Sequence, residues 1–362
     1  MKSTENILYI LGAGFSAPVG LPVMSNFIFK AKDLFAREPE KFAYFREIFK
    51  EMDRMSKAKS FIEYDLLNIE DVLSVLEMKS TVYGAGSKRM SKMFRQFVAD
   101  VITAHTRPIE ICNDGHWIWQ VFGANAPLPQ YGMFLANILK MQLLVEEQSN
   151  RSRFLEIRKS DRLVRNYSVI TFNYDMILEN ALTHLLLTSW NRPSFKIDRA
   201  LDKGQTLFHD PLTLHYAKLH GSCDDPETII TPTWNKIRFD SHNKAWRMAF
   251  EMIKSANFIR FIGYSLPDTD NYFKYLLISA LNESYNLKGI DIICLDLDGS
   301  VKNRYDRILK FREKRFVSFD IAAYLRKLSG GIPEEPYGTA MAHHMSNLER
   351  VHDSFMEKPG ED

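Results

Sequence analysis

Apolar residues recur along this chain in two rhythms. Short continuous runs lie at Ile7–Leu11, Ser168–Phe172, Ala217–Leu219, Phe258–Gly263, Ile290–Leu297 and Phe316–Phe319. They lack the alternation of a half-exposed strand and predict strands covered on both faces, as in a parallel sheet. Between them the period lengthens to that of a helix: Met176, Ile177, Asn180, Ala181 and Leu185 follow one run, and Phe273, Leu276, Leu277, Ala280 and Leu281 follow another. Strand followed by helix, repeated, predicts an α/β fold with a doubly wound parallel sheet.

The interval from about residue 26 to 165 keeps the helical period throughout. Ile69, Val72, Leu73 and Leu76 form one stripe; Phe94, Phe97, Val98 and Val101 a second; Tyr131, Phe134, Leu135, Ile138 and Leu139 a third. The expected organisation is a sheet domain from residues 1–25 and 166–330, a large helical insertion over 26–165, and a polar tail over 331–362. Breaks in the insertion are expected near Gly84–Ser87 and Asn125–Pro129. The tail reads as a linker with one weak helix, and its adjacent His343 and His344 as a solvated face.

Composition narrows the classes. The 362 residues are 45% hydrophobic, which supplies a core and excludes disorder. Forty-seven Lys and Arg against 45 Asp and Glu give a net charge of +2, with no general drive toward nucleic acid or acidic lipid. Cys112, Cys223 and Cys294 are far apart and form no CxxC pair, so neither a disulfide framework nor a four-thiolate zinc site is expected. No stretch approaches the roughly 18 apolar residues of a membrane span. The run after Met1-Lys2 is short, is approached through Glu5 and Asn6, and ends in a glycine turn, so it reads as a strand and not a leader. A soluble, cytoplasmic protein without metal is the expectation.

That turn, Gly12-Ala13-Gly14-Phe15-Ser16-Ala17, follows the first strand in the loose pattern G-x-G-x-x-A. Such glycines allow a tight turn and close backbone approach, and a following helix N-terminus can face a pyrophosphate. Small-residue turns also serve packing. A dehydrogenase would place an acidic residue about 20 positions on, at the end of a second strand. Here Asp33 and Glu38 fall in a helix-period stretch, which disfavours hydride transfer.

Three more polar clusters end predicted strands: Thr171-Phe172-Asn173-Tyr174-Asp175, His220-Gly221-Ser222 and Gly263-Tyr264-Ser265-Leu266. Open α/β sheets bind ligands at strand carboxyl ends, so all four clusters are expected around one crevice. Asn173 can fix a ribose hydroxyl or a water without adding charge; the competing reading is a turn residue. His220 can take a proton near neutral pH, or it can cap a turn. Asp175 can orient a leaving group, cap the helix starting at Met176, or do both. Asp268 and Asp270 read as helix-start residues.

In this order and strand context, Gly12–Ser16, Thr171–Asp175, Lys218–Ser222 and Gly263–Leu266 resemble the sirtuin family and, more closely, its bacterial SIR2-like branch. The resemblance implies a Rossmann-like domain that binds NAD as substrate and breaks its nicotinamide–ribose bond. It implies that Gly12, Ala13, Gly14 and Ser16 hold the phosphates, that Asn173 and Asp175 face the nicotinamide end, and that His220 is the base. Gly263 and Ser265 would line the phosphate and ribose side, with Asp296 near the adenosine ribose. Sirtuin deacetylases add a zinc module with two CxxC pairs, absent from this sequence, and Gly20-Leu21-Pro22-Val23-Met24 lacks their aromatic-Arg ending. Chains with a helical insertion instead are typically NAD hydrolases of antiphage defence, held inactive by self-association or a regulatory partner encoded nearby. The alternatives are an NAD or ADP-ribose sensor, a scaffold, or a protein deacylase or ADP-ribosyltransferase.

Overall fold

A computed structural model describes residues 3–57, 67–106, 128–139, 141–145, 153–157, 163–188, 196–202, 204–207, 213–230, 240–329, 341–343 and 348–359. Cys112, His344 and residues 125–127 of the break predicted at Asn125–Pro129 lie outside the described residues, while Leu128 and Pro129 of that break already belong to a helix. The first strand, β1 (Ser3–Leu11), leads into the one-turn α1 (Ala13–Ser16). The insertion follows as α2 (Phe27–Arg37), α3 (Phe45–Ser56), α4 (Ile69–Tyr83), α5 (Ala85–His105) and α6 (Leu128–Ile138), then β2 (Met141–Val145) and β3 (Arg153–Ile157). The sheet resumes with β4 (Leu163–Thr171), α7 (Ile177–Thr188), β5 (Lys196–Asp198), β6 (Thr213–Lys218), α8 (Asp240–Ser255) and β7 (Phe258–Ile262). It ends with α9 (Asn271–Asn282), β8 (Gly289–Ile293), α10 (Ser300–Ile308), β9 (Lys314–Val317) and α11 (Ile321–Ser329), before β10 (Met341–His343) and α12 (Leu348–Glu357).

Seven parallel strands form the main sheet in the order β5-β6-β4-β1-β7-β8-β9. The continuous apolar runs are explained by its two covered faces. Along β1, Ile7, Tyr9 and Leu11 enter one buried cluster while Leu8 and Ile10 enter the other. From β1 the chain winds outward through β4 toward β6, then crosses back to β7 on the opposite side of β1. The carboxyl ends of β4, β1 and β7 therefore flank a topological switch point, where open α/β sheets form their ligand crevice.

Several elements depart from the pattern-based expectation. Beside its helices the insertion contributes β2 and β3, which join β10 in a three-stranded antiparallel sheet. The three-residue β5 is too short to leave a periodic signal. The run read as Ile290–Leu297 stops being strand at Ile293, leaving Leu295 and Leu297 exposed in a loop. The break at Gly84 is real, with φ +76 between α4 and α5. Within the insertion α5 packs against α2, α3 and α4 around Phe27, Phe45, Phe49 and Phe97. Two edge-on aromatic pairs bind α6 to β1 and α1: Phe134 against Tyr9 at 5.1 Å, and Tyr131 against Phe15 at 5.0 Å.

The tail holds more than a weak helix. Arg260 and Asp291 interrupt otherwise apolar strands on the Tyr9 face of the sheet, and both are buried. A charge in that position requires a partner, and α12 supplies them. Glu349 accepts from Arg260 at 3.0 and 2.5 Å and from Tyr167 at 3.1 Å, and His352 meets Asp291 at 2.9 Å. Burial and the nearby Arg260 guanidinium push the His352 imidazole down to about 4. Hydrogen bonds from Arg315 and His352 outweigh burial at Asp291 and hold its carboxyl well below the usual range. Among the described residues, Asp291, His352 and Asp353 are close enough to share one metal ion. The Arg315 guanidinium already bridges those carboxylates at 2.6, 2.8 and 2.9 Å, so the cluster reads as an ion-pair dock for α12.

Candidate active site

The two glycine loops at the switch point interlock. Gly12 N–H donates to Ile262 O at 3.1 Å, and Gly14 N–H donates to Gly263 O at 2.9 Å. A Cβ on Gly12 would lie 2.5 Å from Tyr264 Cα; one on Gly263, which has φ +64, would lie 2.2 Å from Phe15 N. These glycines are therefore required by a backbone crossing between the ends of β1 and β7. With Gly14 N–H spent there and Phe15 N–H bonded to Gly12 O at 2.9 Å, the turn's outward surface is Ala13, which is exposed, and half-buried Gly14. Ser16 is buried.

Asn173 is held against this turn. Its side-chain amide donates to Gly12 O at 2.9 Å and to Ser16 Oγ at 3.0 Å, while its backbone N–H donates to Thr171 Oγ1 at 3.1 Å. Both amide hydrogens are thus used inside the protein, which narrows the two-way role expected of this side chain: Oδ1, an acceptor, is the atom it can offer a ligand. Ser16 orients Asn173.

The loops after β4 and β6 are stitched together. Leu219 N–H donates to Thr171 O at 3.0 Å and Cys223 N–H to Tyr174 O at 2.7 Å. Lys218, read from sequence as a strand residue, is buried and spans the seam. Its ammonium donates to the Asp175 carbonyl, to Ser222 Oγ at 2.9 Å and to Glu179 Oε1 at 3.1 Å, using all three of its hydrogens. Asp175 accepts Ile177 N–H at 3.0 Å, so the capping role foreseen for it is realised at the start of α7. Gly221 has φ +88 and a Cβ there would meet Thr228 O at 2.0 Å, which fixes the turn after His220.

His220 is buried in this seam. Its ring meets Phe172 edge-on at 5.0 Å and lies 6.1 Å from Tyr174, so it shares an edge with the loop that carries Asn173. Nδ1 is 3.5 Å from Glu70 Oε1 and Nε2 is 3.5 Å from Asp270 Oδ2. Asp270 caps α9 as the sequence suggested, accepting Phe273 N–H at 3.4 Å, and it also accepts the Tyr264 hydroxyl at 2.8 Å. Burial, with Asp270 next, pushes the Tyr264 hydroxyl well above its ordinary range. Neither Glu70 nor Lys218 was legible as a site residue. Glu70 lay beside an apolar helical stripe with no motif around it, and Lys218 was marked by its place in the Lys218–Ser222 motif and by a charge inside a buried strand, neither of which gave it a role.

Two predicted residues lie further out. Ser265 is half-buried, and its carbonyl accepts Arg304 Nε–H at 3.0 Å. Asp296 uses both carboxylate oxygens to cap α10, accepting Val301 N–H at 3.1 Å and Lys302 N–H at 3.0 Å. The structure thus brings Gly12, Gly14, Ser16, Asn173 and Gly263 into direct contact, sets His220 against Phe172 and Tyr174 on either side of Asn173 in sequence, ties Asp175 to Lys218 and the start of α7, and gives Asp296 a separate structural task.

Residues 167–316 match the family model of the SIR2-like domain, a span that takes in Asn173, His220, Gly263 and Asp296 but not the glycine turn. Over that span the chain is similar to the SIR2-like domain. Two solved Sir2 structures resemble it over 90% of this chain and 94% of each of theirs. One is a complex with an inhibitor, 2'-O-acetyl-ADP-ribose and a deacetylated p53 peptide, at 13% identity and a TM-score of 0.35. The other contains a p53 peptide and NAD⁺, at 14% identity and a TM-score of 0.34. Among curated proteins no sequence matches.

Proposed function

We propose that this chain hydrolyses NAD⁺ to nicotinamide and ADP-ribose. One observation carries the reading: at the switch point of the sheet, an asparagine whose amide hydrogens are already spent sits between Phe172 and Tyr174, the two residues whose rings meet a buried histidine from the neighbouring strand loop. A dinucleotide fits this crevice with its pyrophosphate over Ala13 and Gly14, its nicotinamide ribose at Asn173 and His220, and Gly263 and Ser265 along the phosphate side. Water adds to the ribose C1′ as the bond to the pyridinium nitrogen breaks, through an oxocarbenium-like transition state. The bonding pair leaves on nicotinamide, the oxygen becomes the anomeric hydroxyl, and the proton released passes to His220. Asn173 Oδ1 accepts a hydrogen bond from the ribose or the water and aligns it.

The absence of any CxxC pair argues against a zinc module and hence against acyl-lysine as the second substrate. The reading extends to an NAD-depleting effector of antiphage defence, cytoplasmic, without metal, and kept inactive by self-association or a regulatory partner. An unrestrained hydrolase would drain its own host.

The test is chromatography of nicotinamide and ADP-ribose after incubating the full chain with NAD⁺, with and without a neighbouring gene's product. Both products should appear in equal amounts. Thermal stabilisation by NAD⁺ with the dinucleotide left intact would transfer the chain to the sensor class.

A further inference from the structure

The helical insertion reaches into the site through Glu70, the second residue of α4. Asn68 caps that helix, its Oδ1 accepting Glu70 N–H at 3.0 Å and Asp71 N–H at 3.4 Å, which fixes the first turn. A carboxylate there is favoured by the helix dipole. Glu70 is buried, at 8% exposure, where an unpartnered charge would be costly. Its Oε1 lies 3.5 Å from His220 Nδ1.

The carboxylate on the other side of the ring is differently occupied. Asp270 approaches Nε2 at the same 3.5 Å, but its two oxygens are engaged by the Tyr264 hydroxyl and by the N-terminus of α9. Both carboxylates approach the imidazole, and Asp270 is in addition built into the cap of α9. We propose that Glu70 is a positioning residue for His220, accepting Nδ1–H so that Nε2 carries the proton transfer, and that the insertion thereby completes the site on the sheet domain. This rests on the hydrolase reading above. The hydrogen bond a histidine makes through one nitrogen decides which tautomer the other presents, and contacts of this kind are long in empty sites and tighten when substrate binds.

The experiment compares E70Q, E70D, H220A and the double variant E70Q/H220A in nicotinamide release. E70Q should lower kcat roughly 10- to 100-fold, part of the 10²–10⁴ a general base contributes, with KM within about twofold. E70D should recover part of the loss. In the H220A background E70Q should cost nothing further, because two residues that act as one unit are non-additive. An equal loss in both backgrounds, or a higher kcat in E70Q, overturns the proposal. Should the wild-type chain release no nicotinamide, the hydrolase reading fails by itself and Glu70 is judged separately by ¹⁵N-histidine NMR, with the His220 signals assigned by their loss in H220A. E70Q should then shift the His220 Nδ1 resonance, and an unchanged resonance overturns the pairing.

Discussion

Replacing Glu349 by alanine removes the carboxylate that compensates a charge buried within the sheet. Arg260 is 1% exposed in β7, bonded to Glu349 at 3.0 and 2.5 Å and to the Tyr9 hydroxyl at 2.7 Å. Without Glu349 the guanidinium stays buried with a neutral phenol as its remaining named partner. Burial raises the Tyr9 hydroxyl well above its ordinary range, so Tyr9 cannot supply the missing negative charge. Breaking a buried pair in this way costs about 3–5 kcal/mol, against about 0–1 kcal/mol for an exposed pair. The double replacement R260M/E349L exchanges the pair for apolar side chains and should recover most of that loss, since a well-packed apolar pair often equals a buried ion pair. Urea denaturation followed by circular dichroism measures all three proteins. A loss below about 1 kcal/mol in E349A would show α12 to be a loosely laid tail and refute the reasoning. So would a double variant as unstable as the single one.

H220A should lower the kcat for nicotinamide release by about 10²–10⁴ while the protein still melts as wild type does; a change within twofold would remove His220 from the chemistry. G263A places a methyl 2.2 Å from Phe15 N at φ +64, so it should cost more than about 2 kcal/mol from strain and clash, and an unchanged melting temperature would refute the interlock. D296A removes the cap of α10 and should cost about 1 kcal/mol with KM for NAD⁺ unchanged; a raised KM at unchanged stability would return Asp296 to the ribose. His352 titrates at about 4 in the folded protein against an ordinary 6.5. Between those values the unfolded chain takes up a proton that the folded one refuses, so stability should fall as pH drops from 6.5 toward 4, by up to about 3 kcal/mol. The same acid titration of H352Q should be flatter by that amount, and two parallel curves would sink the assignment.

Much of this could be read without coordinates, because period and punctuation are local properties. Continuous apolar runs mark strands covered on both faces, and β1, β4, β6, β7, β8 and β9 each overlap one of those runs, β6 and β9 by two residues only. Gly12, Gly14 and Gly263 stand where the backbone needs them, since no side chain fits the crossing. The sequence likewise marked Asn173 and His220 at strand ends, where a parallel sheet gathers polar groups on one edge.

What only the folded chain decided is which groups spend their hydrogen bonds on each other. Ser16 turned inward to hold Asn173, Asp296 closed on the first turn of α10, and Arg260 found Glu349 across 89 residues. Glu70 came to His220 from a helix 150 positions upstream. Helical spacing records which face of α4 is apolar, but a polar contact between distant segments leaves no periodic trace. Its partners are set by the packing of whole elements, through distances that no local pattern encodes.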